Sequence, residues 1–180
     1  MTRIACVFPG QGSQAVGMLK ELADVHSSIL DTFAQASEAL GYDLWDVVQN
    51  DPDNKLNETQ VTQPALLTAS VAIYRLLAEQ GIAPEYMAGH SLGEYSALVA
   101  AGVLDFTSAL RLVSTRGELM STHGDGEMEA LPLDLQASAR LAEKHYCAIA
   151  ACNLPDQTVV GGHASDLATL AREFTEIHPK

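Results

Sequence analysis

Short apolar runs alternate with longer amphipathic stretches along the first two thirds of the chain, a pattern typical of an α/β protein. The apolar runs over 3–8 and 85–88 predict short buried strands of a parallel sheet. The polar stretch 42–60 predicts an exposed connection with at most a short helical turn. Helical spacing predicts four helices. The first has apolar residues on one face between Leu22 and Leu40, and the second begins at Pro64 and ends at Gly81. The third begins at Glu94, and the fourth covers 105–121, with core residues Leu110, Leu112, Val113 and Met120.

The pattern changes after the Gly-Asp-Gly stretch at 124–126. From there the order is strand, helix, strand, strand, helix, which is five of the six elements of a ferredoxin-like unit. The five elements are expected over 128–133, 135–145, 147–152, 158–161 and 166–177. We therefore predict two domains. Residues 1–124 form an incomplete large α/β domain with a hydrolase-like parallel sheet, and residues 125–180 form a small ferredoxin-like α+β subdomain that lacks its last strand.

Composition narrows the classes of partner. The chain has 180 residues, 47% of them hydrophobic, and a formal net charge of −13, which would repel nucleic acid and anionic membrane surfaces. Its three cysteines form no CxxC pair, its histidines show no metal-ligand spacing, and we predict no metal site. We expect no signal peptide and no apolar stretch long enough to span a bilayer. The sequence therefore predicts a reduced, soluble, cytoplasmic protein.

Gly89-His90-Ser91-Leu92-Gly93 has the GxSxG pattern of a nucleophile elbow. A predicted strand precedes it and a predicted helix follows, so Ser91 would lie on a tight turn at a helix N-terminus. The two glycines suit a corner where side chains would collide with neighbouring backbone. These features make Ser91 the candidate nucleophile. Adjacent residues at such a corner point in different directions, so His90 is not expected to be its base.

Four ordered blocks carry a resemblance to a known family. They are Phe8-Pro9-Gly10-Gln11-Gly12-Ser13-Gln14, Thr62-Gln63-Pro64-Ala65-Leu66, the elbow with Glu94, and Arg116-Gly117, with a weaker fifth block at 153–157. In order and spacing they resemble the malonyl-coenzyme A:acyl carrier protein transacylases of fatty-acid synthesis and the acyltransferases of polyketide synthases. The resemblance runs over essentially the whole chain.

The resemblance implies a ping-pong acyl transfer. Ser91 would take a malonyl group from coenzyme A as an ester and pass it to the thiol of an acyl carrier protein. The backbone N–H groups of Gln11 and Leu92 would form the oxyanion hole, and Arg116 would bind the malonyl carboxylate. Leu92 together with Arg116 fits a malonyl rather than a branched acyl group. No cofactor is implied, and malonyl-CoA enters as a substrate.

Several assignments stay open at the level of sequence. Spacing alone leaves Arg111 as an alternative to Arg116. Gln63 is either near the acyl pocket or a helix cap, and Asn153 is either pocket support or part of a turn. The family's carrier protein is normally acidic, so docking would use a local basic patch. The available cations are Lys20, Lys55, Arg75, Arg140, Lys144 and Arg172.

The catalytic histidine of the family follows the small domain, and neither His163 nor His178 lies in its motif. We therefore expect the base of Ser91 and the last strands of the large domain to lie outside these 180 residues. Two other functions remain as alternatives: an acyl hydrolase that clears carrier proteins, and a non-catalytic fragment. Arg116 argues against the hydrolase, because an enzyme that removes stalled acyl groups from carrier proteins has no need to bind a malonyl carboxylate.

Overall fold

A computed structural model of the chain describes residues 3–124 and 126–178. The fold divides between Thr122 and His123 into two compact units, here called unit 1 and unit 2. The elements of unit 1 are β1 (Ala5–Phe8), α1 (Lys20–Ala23), α2 (Ser27–Leu40), α3 (Leu44–Asn50), α4 (Thr59–Glu79), β2 (Tyr86–Gly89), α5 (Leu92–Ala100) and α6 (Phe106–His123, which ends at the boundary). The predicted α/β class is confirmed for this unit.

Strands β1 and β2 pair in parallel, with Ala5 opposite Tyr86 and Phe8 opposite Gly89. Both strands therefore end at the same edge of the sheet, where the two motif-bearing turns begin. Convergence of loops at the carboxyl ends of parallel strands is the usual position of a site in an α/β fold.

The prediction that both strands are buried is wrong. Val7 is 76% and Tyr86 is 55% exposed, whereas Phe8 is buried. Helix α5 packs against both strands. A sheet of two strands thus has a covered face and an open apolar face, although parallel sheets are normally covered on both.

The region 42–60 is more ordered than its polar composition suggests. It contains α3, whose Leu44 and Val48 are fully buried. The helix begins after Asp43, whose carboxylate accepts a hydrogen bond of 2.9 Å from the N–H of Asp46. The expected exposed connection is therefore a capped helix that contributes to the core.

Helix α4 is the central element of unit 1, and it begins five residues before the predicted start at Pro64. Pro64 lies inside the helix, so the carbonyl of Gln60 loses its usual intrahelical donor. By length and composition α4 could cross a membrane, which corrects the sequence prediction, yet 67% of its most apolar window is buried within the fold. Burial of that kind is expected of the core helix of a soluble protein.

Helix α6 is amphipathic as predicted, but its core face is narrower. Leu110 and Val113 are fully buried, whereas Leu112 and Met120 are exposed. Leu112 lies outside the stripe that Leu110 and Val113 define. Met120 instead lies beside a polar side chain of α4, as described below.

Unit 2 contains β3 (Glu127–Leu131), α7 (Leu135–Lys144), β4 (Ala148–Leu154), β5 (Gln157–Gly162) and α8 (Ala164–Ile177). The element order is the predicted one. The three strands form an antiparallel sheet in the order β3-β5-β4. Its core is formed by Leu131 and Val160 from the sheet with Leu141, Leu167 and Leu170 from the helices.

Candidate active site

Ser91 occupies the corner between β2 and α5 in a backbone conformation that few residues adopt. Its φ is 52° and its ψ is −106°, and its side chain makes no capping hydrogen bond to the helix. Strained conformations of this kind cost about 1–3 kcal/mol and persist where the surroundings enforce them. The strain directs the hydroxyl away from the helix backbone, so Oγ is available to a substrate.

Two glycines make the corner possible. A Cβ on Gly89 would overlap the backbone of Gly93, and a Cβ on Gly93 would overlap the carbonyl of Phe8. The second contact joins the first turn of α5 to the end of β1. The elbow therefore depends on backbone-to-backbone packing that only glycine allows at these positions.

The turn after β1 packs directly against the elbow. The N–H of His90 donates to the carbonyl of Phe8 at 3.2 Å, and a Cβ on Gly10 would lie 2.8 Å from the carbonyl oxygen of His90. Gln11 follows Gly10 in this turn. The fold therefore places the backbone of Gln11 in the same corner as Ser91.

Gln14, which the sequence analysis assigned no role, braces this turn. Its Oε1 accepts a hydrogen bond of 2.9 Å from the N–H of Gly12, and its Nε2 donates to Oδ1 of Asn57 at 2.8 Å. The side chain of Gln11 adds a bond of 3.2 Å to Thr59, the first residue of α4. The glycine-rich turn is thus tied to the segment that leads into α4.

The N–H of Leu92 lies at the first position of α5. The next two N–H groups donate to carbonyls of the corner, from Gly93 to His90 and from Glu94 to Ser91. Within the described part of the chain the N–H of Leu92 has no protein acceptor, as expected for the first turn of a helix. This donor is free to bind a developing negative charge beside Ser91.

Arg116 reaches Ser91 from α6. Its Nη2 donates to Oγ of Ser91 at 3.1 Å, and its Nη1 donates to Oε1 of Gln63 at 2.7 Å. The guanidinium carbon lies 5.7 Å from the centre of the Tyr95 ring, within the range of a cation–π contact. The side chain is therefore fixed on three sides by neutral groups.

Gln63 is fully buried in the interior of α4, so the alternative that it caps the helix is wrong. Its Nε2 donates to Sδ of Met120 at 3.4 Å while its Oε1 accepts from Arg116. The methionine sulfur thus orients the amide with its oxygen toward the guanidinium. Tyr95 and Met120 are members of the site that the sequence analysis did not identify.

Gly117 explains how α6 comes close enough to deliver Arg116. A Cβ at this position would lie 2.7 Å from the Cα of Gln60 and 2.8 Å from the carbonyl oxygen of Thr59. Without a side chain at 117, α6 packs against the first turn of α4 beside Gln63. Arg111, the alternative from spacing, is exposed on the same helix.

The electrostatics of the site follow from these contacts. Arg116 is half-buried, and among residues 3–124 and 126–178 no carboxylate forms an ion pair with it. A partly desolvated guanidinium without a counter-ion attracts an anion, and its planar fork matches a carboxylate. The site therefore combines an accessible hydroxyl, backbone donors and a cation without a counter-ion in the described ranges.

Two further candidates are Asn153 and His90. Asn153 lies in unit 2, where its Nδ2 donates to Oε1 of Gln157 at 3.2 Å across the turn between β4 and β5. His90 packs against the turn after β1 at Gly10. In the described ranges no group of three His, Cys, Asp or Glu residues could hold a metal ion.

With this geometry established, comparison with known proteins decides the family. Residues 5–177 match the family described as the acyl transferase domain. The chain belongs to that family. The resemblance stated from the sequence motifs is thereby confirmed.

Individual relatives agree with the family assignment. The chain is 52% identical over 172 residues to the malonyl CoA-acyl carrier protein transacylase of Escherichia coli strain K12, an alignment that covers 91% of this chain. It is 41% identical, over 98% of its length, to a polyketide biosynthesis malonyl CoA-acyl carrier protein transacylase of Bacillus velezensis. It covers 56% of the first relative and 64% of the second, so the acyl transferase domain described here spans between half and two thirds of their length.

Solved structures show the same fold. An acyl carrier protein S-malonyltransferase from Vibrio cholerae has a TM-score of 0.90 at 46% identity, covering 97% of this chain and 60% of the other. A malonyl-transacylase solved in complex with a type II polyketide acyl-carrier protein has a TM-score of 0.89 at 45% identity, covering 98% and 60%. The α/β fold with its smaller α+β unit is that of these acyl transferases.

Proposed function

We propose that this acyl transferase domain belongs to an enzyme that moves a malonyl group from coenzyme A to the thiol of an acyl carrier protein, in fatty-acid or polyketide synthesis. The observation that carries the proposal is the contact between Ser91 Oγ and Arg116, a half-buried cation with only neutral partners in the described chain. A nucleophile beside an unpaired guanidinium suits an acyl group that ends in a carboxylate. The names of the relatives support this substrate and this carrier.

The reaction divides into two transfers at one serine. Ser91 Oγ attacks the thioester carbonyl, the carbonyl oxygen becomes an oxyanion, and its collapse expels the coenzyme A thiolate and leaves a malonyl ester on Ser91. The carrier thiol then attacks this ester and releases the serine. In each step the N–H groups of Leu92 and Gln11 would bind the oxyanion, and such preorganised donors contribute a few kcal/mol each.

Arg116 would select the acyl group without taking part in proton transfer. A guanidinium stays protonated at all accessible pH values, so it cannot accept the serine proton. Its two N–H groups, now on Ser91 and Gln63, can turn to the two oxygens of the malonyl carboxylate. Gln63 and Tyr95 would hold the fork in place, which reduces the entropy lost on binding.

The proposal needs no cofactor and is compatible with a cytoplasmic enzyme. The hydroxyl, the backbone donors and the guanidinium supply nucleophilic and electrostatic catalysis, and coenzyme A enters and leaves as part of the substrate. The proton of Ser91 requires a base that the contacts of Ser91 do not include. In the experiment below, imidazole in solution can supply it.

Intact-protein mass spectrometry after incubation with malonyl-CoA tests the proposal. We expect one malonyl adduct per chain, formed faster when imidazole is present, and lost when a carrier protein with its thiol arm is added. The malonyl group should then appear on the carrier. Loss of the adduct as free malonate with an unmodified carrier would indicate a hydrolase, and absence of an adduct on the folded chain would contradict the proposal.

Substitution of Arg116 by alanine is expected to reduce the rate of malonyl loading by about 100-fold, because it removes a charge-assisted bidentate contact of roughly 2–4 kcal/mol. Loading from acetyl-CoA, which has no carboxylate, should not fall. Rates of adduct formation from the two thioesters measure this difference.

Arg111→Ala is the matched control, since it removes the same charge from an exposed position of α6. It should leave both loading rates within about twofold. Arg116→Lys keeps the charge without the planar fork and should lie between the wild type and Arg116→Ala. If Arg116→Ala reduces the loading rates of malonyl and acetyl groups equally, Arg116 does not bind the malonyl carboxylate.

A further inference from the structure

The side chain of Gln63 lies between two groups whose hydrogen-bonding character is fixed. On one side, Nη1 of Arg116 donates to its Oε1 at 2.7 Å, and on the other side its Nε2 donates to Sδ of Met120 at 3.4 Å. A guanidinium has only donors, whereas a thioether sulfur is only an acceptor. The residue at position 63 must therefore present an acceptor to Arg116 and a donor to Met120.

An amide meets this requirement, and a carboxylate does not. An amide has an acceptor oxygen and a donor nitrogen, whereas both oxygens of an ionised carboxylate are acceptors. Glutamate has the shape of glutamine, but at position 63 its second oxygen would face the lone pairs of the Met120 sulfur. Gln63 is fully buried, so water could not solvate that oxygen. The Met120 sulfur thus favours the neutral side chain at position 63.

The neutrality of Gln63 decides the net charge beside Ser91. Arg116 is half-buried, and no carboxylate among residues 3–124 and 126–178 forms an ion pair with it. A carboxylate at position 63 would lie at hydrogen-bond distance from Nη1 and would compete with the carboxylate of an acyl group for the guanidinium. The amide instead holds the guanidinium in place and leaves its positive charge available to the substrate.

We propose that Gln63 is a positioning residue that sets the acyl preference, and that the Met120 sulfur keeps position 63 neutral. The inference rests on the proposed function, which assigns the acyl carboxylate to Arg116. It adds that selection of that carboxylate depends on a neutral acceptor behind the guanidinium. Gln63 acts through Arg116 and has no contact with the reacting atoms.

The substitution Gln63→Glu tests the inference, because it changes the charge at position 63 and conserves the shape. Intact-protein mass spectrometry, with imidazole present, measures loading from malonyl-CoA and from acetyl-CoA over a range of thioester concentrations. We expect the ratio of malonyl to acetyl loading rates to fall by about 30-fold or more, because the new carboxylate forms a charge-assisted contact with Arg116. Most of the fall should be a higher half-saturating concentration of malonyl-CoA. An unchanged ratio would overturn the inference.

The substitution Gln63→Leu separates charge from hydrogen bonding. It removes the acceptor for Arg116 and the donor for Met120 without adding a charge. Both loading rates can fall, but their ratio should stay within about fivefold of the wild type, since the guanidinium still lacks a counter-ion. If Gln63→Leu lowers the ratio as much as Gln63→Glu, neutrality is not the property that matters and the inference is wrong.

The substitution Gln60→Glu is the matched control for charge. It adds a carboxylate to the same helix, but the side chain of Gln60 bonds to Ser121 and Glu58 and not to Arg116. The Ser121 hydroxyl can still donate to the new carboxylate. The ratio of loading rates should stay within about threefold of the wild type, because an ion pair needs direct contact. A fall equal to that of Gln63→Glu would indicate a general electrostatic effect and overturn the inference.

A double-mutant cycle with Met120→Gln tests the part assigned to the sulfur. Met120 is 44% exposed, so glutamine can be accommodated there, and its amide nitrogen can donate to the second oxygen of a carboxylate at position 63. Urea unfolding should show that Met120→Gln offsets part of the stability lost in Gln63→Glu. The double variant should keep the low ratio of loading rates, so it also serves if Gln63→Glu alone does not fold. Additive losses of stability would contradict the part assigned to Met120.

The wild-type chain separates this inference from the proposed function. Absence of a malonyl adduct on the folded wild type would contradict the function itself. Normal malonyl loading of the wild type, together with equal losses of malonyl and acetyl loading in Gln63→Glu, would leave the function standing. That result would show that Gln63 supports the structure of the site and does not set the acyl preference.

Discussion

The variant Ser91→Ala is expected to form no malonyl adduct and to reduce transfer to the carrier to the uncatalysed background, because Oγ of Ser91 is the atom on which the ester forms. The backbone donors and Arg116 would remain, so the variant should still bind malonyl-CoA. Removing Oγ also frees Nη2 of Arg116 from its bond to the serine, which would strengthen its grip on the carboxylate. Intact mass and a direct binding titration measure the two effects separately.

Ser96→Ala is a suitable control on the same helix. Ser96 is buried in α5, and its hydroxyl has no hydrogen-bond partner in the described structure. Replacing it by alanine removes an unsatisfied polar group, so stability and loading should be unchanged or slightly increased. An adduct that persists in Ser91→Ala would place acylation on another residue, such as the exposed Cys152, and contradict the proposed mechanism.

The variant Gly93→Ala is expected to destabilise unit 1 by about 3 kcal/mol or more. The added Cβ would overlap the carbonyl of Phe8 and lie 2.8 Å from the carbonyl oxygen of Pro9, and backbone groups held in paired strands cannot move aside cheaply. To relieve the overlap, α5 would have to separate from β1. That separation would open the corner that holds Ser91. Urea unfolding followed by circular dichroism measures the loss.

Gly102→Ala separates steric overlap from backbone preference. Gly102 has a φ of +72°, but a Cβ there would meet no atom within 4 Å. This variant should therefore lose only the conformational term, about 1–2 kcal/mol. If the two variants are equally stable, the close approach of α5 to β1 is not a determinant of the fold.

The motifs at the ends of β1 and β2 were the most predictable part of the site. One strand is followed by a glycine-rich turn and the other by the GxSxG pattern. In a parallel sheet the turns that follow the strands lie at one edge, so both patterns predict residues at that edge. The resemblance to the acyltransferases implied that Gln11 lies beside Ser91, and the parallel pairing of β1 and β2 brings the two turns together. The sequence did not predict the hydrogen bonds of the Gln14 side chain to Gly12 and Asn57, because only the tertiary fold brings Asn57 close to this turn.

The choice between Arg111 and Arg116 shows where periodicity reaches its limit. The two residues are five positions apart, so they lie about 140° apart around α6 and cannot both face the site. Apolar neighbours did not fix which side is inward, because Leu112 and Met120 are exposed. The contact at Gly117 fixes it, and that contact depends on Thr59 and Gln60 in a helix whose early start was not predicted.

Local signals failed where tertiary burial overrode them. Proline at position 64 suggested a helix start, but a helix can extend before a proline at the cost of one hydrogen bond when its other residues are buried. Two buried residues, Leu44 and Val48, were enough to hold α3 within a polar segment. In the opposite direction, Val7 is apolar and exposed, because a two-stranded sheet offers α5 only one of its faces.

The backbone angle of Ser91 limits which amino acids could ever occupy its position. At a φ of 52° and a ψ of −106°, a β-branched side chain would place a second heavy atom against the backbone. Threonine carries the same hydroxyl as serine but is excluded on shape, whereas cysteine is unbranched and fits. The geometry of one corner thus removes threonine from the possible hydroxyl nucleophiles before reactivity is considered. A redesign toward any β-branched attacking group would have to begin by rebuilding the turn.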